Sequence, residues 1–100
     1  MRYGLTDDTI AQIINVLAKT IKIEKVILFG SRAMGNFREG SDIDLALKGE
    51  KLDMADLINI SSELEELDLP YYFDLLLFEK IENRDLTDHI CRVGVTIYSR

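Results

Sequence analysis

Three aspartates and a glycine–serine pair carry the chemistry of this chain. Asp42 and Asp44 stand one residue apart, Gly30-Ser31 lies upstream with ten residues between, and Asp74 sits inside the most apolar run. The stretch Ser41-Asp42-Ile43-Asp44-Leu45-Ala46-Leu47 alternates polar and apolar residues, which is a strand signature. Period two puts Asp42 and Asp44 on one face, about 7 Å apart along the strand. Ile43, Leu45 and Leu47 then turn to a core. Two like charges on one face repel unless a cation sits between them. Magnesium, a hard ion, prefers carboxylate and phosphate oxygens. An isolated Asp-x-Asp more often opens a solvated strand than binds metal, but Asp74 changes the balance. A carboxylate inside Tyr71-Tyr72-Phe73-Asp74-Leu75-Leu76-Leu77-Phe78 is costly to bury unless it is paired or metal-bound. No basic residue lies within that run. The structural alternative is a sheet edge where the backbone satisfies it. On a strand beside Asp42 and Asp44, Asp74 completes a set able to hold two metal ions about 3.5–4 Å apart.

The second component is the turn. Glu24–Phe29 is a short apolar run, read as a buried strand, and it ends at Gly30. Gly30 permits a sharp turn and a close ligand approach. Ser31 suits an N-cap, and Ser31-Arg32-Ala33-Met34 allows one helical turn before Gly35 stops it. Such a start offers free N–H groups to phosphate. Alone, Gly-Ser fits any strand–turn–helix connection. Joined to the acids, it supplies the other half of a site for a nucleoside triphosphate with magnesium.

The remaining elements must position these groups. Thr6 caps a helix to about Thr20, with Ile10, Ile13, Ile14 and Leu17 on one stripe. Asp53 caps a second helix to about Leu67, and Pro70 marks its end. Asn83 or Asp85 opens a last helix to about Val93, stopped by Gly94, and Val95–Tyr98 forms a short extended tail. Helices alternating with strands imply an α/β sandwich. The short Ser31–Gly40 connection favours antiparallel neighbours over a full crossover.

One hundred residues allow a single core and no second domain. A hydrophobic fraction of 47% excludes a disordered chain. No apolar run approaches the roughly 20 residues of a membrane span, and the polar, acidic N-terminus is unlike a signal peptide. A cytoplasmic location is expected. The net charge of −6 argues against gripping nucleic acid along its backbone. Cys91 is the only cysteine, so it forms no internal disulfide and is expected to pack as a small apolar residue. His89 reads as an ordinary helix residue, Glu63-Leu64-Glu65-Glu66 as a solvated face, and Tyr71 and Tyr72 as packing residues of which one faces out.

Gly-Ser-Arg-Ala-x-Gly followed by Ser-Asp-Ile-Asp-Leu-Ala, with Asp74 on a later strand, resembles the minimal nucleotidyltransferases of the DNA polymerase β-like superfamily. The resemblance covers most of residues 1–100, from the first helix onward. It implies a single-domain fold with a small mixed sheet flanked by helices. It implies metal binding by Asp42, Asp44 and Asp74, with Asp74 also the base at the attacking hydroxyl. Gly30 and Ser31 would hold the β- and γ-phosphates, assisted by Arg32 and Ser41. Two Mg2+ ions, or Mn2+ in their place, and ATP as donor follow from the same resemblance. Many such domains are the antitoxin of a HEPN toxin, and transfer of AMP to a tyrosine of that partner is the implied reaction. Two alternatives remain: an antitoxin that acts by binding alone, and a transferase modifying a small molecule such as an aminoglycoside. The absence of an extra helical domain weighs against the latter. The small size also leaves the acceptor, or a partner subunit, to complete the cleft.

Overall fold

In the computed structural model, which describes residues 1–100, the apolar runs become strands and the amphipathic runs become helices. Their order is α1 (Asp7–Ala18), β1 (Lys25–Phe29), α2 (Gly30–Met34), β2 (Ile43–Lys48), α3 (Met54–Glu65), β3 (Phe73–Leu77), α4 (Arg84–Val93) and β4 (Val95–Ser99). A 3-10 turn at Phe78–Lys80 separates β3 from α4. The strands form one sheet in the order β3-β2-β1-β4. β1 and β2 are antiparallel, as the short connection between them requires, with Phe29 opposite Asp44. β2 and β3 are parallel, joined by the α3 crossover, with Asp44 opposite Asp74. The sheet is therefore mixed.

Local sequence sets the helix starts. The Thr6 side chain accepts from the Thr9 amide. Asp53 and Asp56 make a reciprocal capping box at the start of α3. Asn83 rather than Asp85 caps α4, accepting from the Leu86 amide.

Alternation along the strands then gives the sheet two unlike faces. Val26, Leu28, Ile43, Leu45, Leu47 and Leu77 turn to one face and are buried with Ile10, Ile13 and Leu17 of α1 and Ile60 and Leu64 of α3. Each fully buried aliphatic side chain of this kind contributes about 1.5–3 kcal/mol. The opposite face carries a smaller cluster, Phe29 and Ala46 against Ile90 of α4, with Ile27, Leu76 and Leu86 at its margin. α4 covers only part of that face, and the acids occupy the rest.

Two expectations change. The Val95–Tyr98 tail is a full strand, paired antiparallel with β1. Just beyond it, Arg100 donates to the carbonyls of Ile23 and Ala18, a cation at the C-terminal end of α1. Cys91 is exposed rather than packed. Ile90 faces the core, and the next residue along a helix is rotated by about 100° onto the outer side.

Candidate active site

The parallel register of β2 and β3 brings the acids together. Asp44 and Asp74 are paired across the ladder, which sets their Cα atoms about 4.8 Å apart. Asp42 lies two residues before Asp44, on the same face, just ahead of β2. Asp44 is half-buried, while Asp42 and Asp74 are exposed. This corrects the expectation of a buried Asp74. β3 is the outermost strand and its residue 74 turns to the uncovered part of the face, so the carboxylate remains hydrated.

The electrostatics record the same proximity. The Asp44 carboxyl is held above the usual carboxylate range, first by burial and then by the negative charges of Asp74 and Asp42. The Arg32 guanidinium pulls in the opposite direction without cancelling the shift. All-oxygen donors of like charge suit a hard divalent cation, which would relieve that repulsion. No three metal-ligating side chains are drawn around a single point in the unliganded chain. Like charges on an open face have no reason to converge. Magnesium in such sites takes one or two carboxylates and completes its shell with substrate phosphate. The residues present fit that arrangement.

Gly30 joins the turn to the acids. Its φ is +73°, in the left-handed region, and a Cβ there would overlap the Asp44 carboxylate oxygen Oδ2. Glycine is thus needed both for backbone conformation and for contact with Asp44. A Gly30→Ala variant is expected to lose about 1–3 kcal/mol of stability. It should also weaken triphosphate binding, measured by thermal melting with and without nucleotide and magnesium.

The other turn residues depart from expectation. α2 begins at Gly30, with Phe29 as an N-cap that makes no side-chain bond. Ser31 is therefore not the cap; it lies half-buried within the first turn. Gly35, at φ +87°, does end the helix, its amide donating to the Ser31 carbonyl. Arg32, expected beside phosphate, is 2% exposed. Its Nε and Nη2 donate to the Ser41 carbonyl at 3.1 and 2.7 Å, and its Nη1 donates to the Tyr3 carbonyl at 2.8 Å. The guanidinium is packed between the rings of Phe37 and Tyr71, 5.4 and 4.8 Å from their centroids. It ties the residue preceding Asp42 to α2 and to the N-terminal turn. Ser41 is likewise used internally, its Oγ accepting from the Arg38 amide at 2.8 Å. Tyr3, Phe37 and Tyr71 thus support the site from three separate segments. An arginine flanked at a distance by aromatic residues leaves no local signal of such a clamp.

Comparison with known proteins matches residues 11–100 to the family model described as polymerase beta, nucleotidyltransferase. Comparison with curated proteins yields no match. Among solved structures, a chain of a toxin–antitoxin complex with AMP-PNP is similar, with TM-score 0.75 and 26% identity over 91% of this chain and 73% of that one. A chain of a toxin–antitoxin complex of MntA and HepT gives TM-score 0.71 and 22% identity over 95% and 74%. A chain of a tri-AMPylated Shewanella oneidensis HEPN toxin in complex with MNT antitoxin gives TM-score 0.72 and 21% identity over 96% and 74%. No helix of the present chain is long and apolar enough to cross a membrane.

Proposed function

Since the chain belongs to the polymerase β nucleotidyltransferase family, we propose that it transfers AMP from ATP to a tyrosine hydroxyl of a HEPN toxin and acts, in the cytoplasm, as that toxin's antitoxin. The observation that carries this reading is the single constellation of Asp44 opposite Asp74, Asp42 two residues ahead, and the Gly30 backbone against Asp44. The similar toxin–antitoxin structures, one with AMP-PNP and one with an AMPylated toxin, support the choice of nucleotide and acceptor.

In this reading Asp42 and Asp44 hold Mg2+, with Mn2+ able to replace it, and the backbone of Gly30 and Ser31 holds the β- and γ-phosphates. When bound, the metal supplies a lowered pKa for the attacking hydroxyl and neutralises charge on the departing pyrophosphate. Asp74 accepts the hydroxyl proton as that oxygen bonds to the α-phosphorus and the bond from the α-phosphorus to the bridging oxygen breaks. Pyrophosphate leaves. Arg32 keeps Asp42 in place from behind and contacts no substrate. The chemistry needs mainly positioning and charge stabilisation, which a rigid strand pair supplies.

The test is incubation with ATP, magnesium and a candidate HEPN-domain partner, followed by intact mass spectrometry. The partner is expected to gain one or more AMP units, and to gain none when magnesium is chelated. A tight complex without any mass gain would instead assign neutralisation by binding alone.

A further inference from the structure

β3 is the last strand on its side of the sheet, and nothing in the chain pairs with its outer edge. The Ile43 amide donates to the Tyr72 carbonyl at 2.9 Å. In a parallel ladder this commits the main-chain groups of residues 72, 74 and 76 to β2 and turns those of Phe73 and Leu75 outward. The usual guards of a free edge are missing. β3 contains no proline and no lysine, and its one charge, Asp74, lies on the acid face. The edge runs beside two grooves, one bordered by Tyr72 and Phe73 and the other by Met54, Leu57 and Leu86. Tyr72 is 82% exposed.

The edge is also in register with the acids. Phe29, Asp44 and Asp74 follow one another across β1, β2 and β3. A fifth strand would extend that row, so its residue beside Asp74 would stand on the same face about 4.8 Å away. A tyrosine at that position would rise beside Asp74, with a ring long enough to carry its hydroxyl over that carboxylate toward Asp44. The rim is acidic, with Glu65 and Asp68 along one groove and Glu82 along the other, against a single Lys80. Such a rim favours a basic segment and disfavours a second copy of a chain carrying net charge −6.

We infer that the acceptor protein docks an extended, basic, tyrosine-bearing segment onto the free edge of β3 as a fifth strand, delivering the hydroxyl to Asp74. This rests on the transferase reading above and adds the mode of acceptor recognition.

Amide hydrogen exchange on the full-length protein, free and saturated with the HEPN protein plus AMP-PNP and magnesium, tests it directly. The Phe73 and Leu75 amides are expected to exchange freely alone and to become protected in the complex. Unchanged exchange in a saturated complex overturns the inference. Protection in the free protein that grows with concentration also overturns it, by assigning the edge to a second copy. A Leu75→Pro variant removes an outward N–H without cutting the ladder to β2. Its kcat/KM for the acceptor should fall about tenfold, mainly through KM, the scale of one or two lost hydrogen bonds. AMP-PNP binding should be unchanged. Unaltered transfer by a folded variant overturns the inference, and if the variant does not fold, the exchange data decide. AMP transfer with both amides still exchanging freely would retain the transferase and remove the strand. Protected amides without transfer would retain the strand and remove the transferase.

Discussion

Replacing Asp44 with asparagine is expected to raise the melting midpoint at neutral pH while lowering nucleotide transfer roughly a thousandfold or more. The two effects share one cause. Burial, Asp74 and Asp42 raise the Asp44 carboxyl above its ordinary value of 3.8, so the folded protein binds this proton more tightly than the unfolded chain does. The stability this confers is fully present below the unfolded value and is lost as pH rises through the higher native one. At pH 7 the ionised Asp44 is a cost to the fold, and a neutral isostere removes it. The gain is small, because partial exposure lets solvent screen the repulsion. It should vanish near pH 3, where the wild-type side chain is itself protonated. Added Mg2+ and ATP should stabilise the wild type and leave the variant unmoved, since only a site that binds the ligand gains from it. Melting curves at pH 3 and 7, each with and without magnesium and ATP, check every part. A variant less stable than wild type at pH 7, or one that still transfers AMP at near the wild-type rate, would remove the assigned role.

Arg32→Leu is expected to be the most damaging single substitution outside the apolar core. It would leave the Ser41 and Tyr3 carbonyls without the donors they now have. A loss of about 3 kcal/mol follows from two part-buried acceptors left unpaired, lowering the midpoint by roughly 12–24 °C. Arg32→Lys should recover less than half of that, because one ammonium cannot reproduce a planar fork spanning both carbonyls or its stacking between Phe37 and Tyr71. Thermal and denaturant melts measure both. An Arg32→Lys protein of normal stability with weakened nucleotide binding would instead return Arg32 to the phosphates.

What the amino-acid sequence discloses here is what depends on short-range pattern. Alternation at 41–47 defines β2 and its two faces, and the Asp53 and Asn83 caps set the starts of α3 and α4. The Asp74 pairing was legible because a strand with one carboxylate among aliphatic residues has few places to go. Burial was not legible. Asp74 has apolar neighbours in the chain, yet its exposure is set by which strand is outermost and by how far α4 reaches across the face. Arg32 sits in a motif that looks made for phosphate, but its donors were claimed by carbonyls of residues 3 and 41, one of them 29 residues away. Val95–Ser99 has no local mark separating a tail from a strand, because its partner β1 lies some 70 positions earlier. Ser31 lies two positions past the cap at Phe29, since Gly30 at positive φ already turns the chain.

Asp42 and Asp74 stand on an open margin of the sheet, with no lid above them. A triphosphate resting there would be wetted on its outer side, where water competes with any hydroxyl for the α-phosphorus. Drying of that side has to come from whatever docks against it. If the proposed AMP transfer holds, its preference over futile hydrolysis of ATP is a property of the docked assembly, and the domain alone should spare ATP only as far as its geometry discourages water.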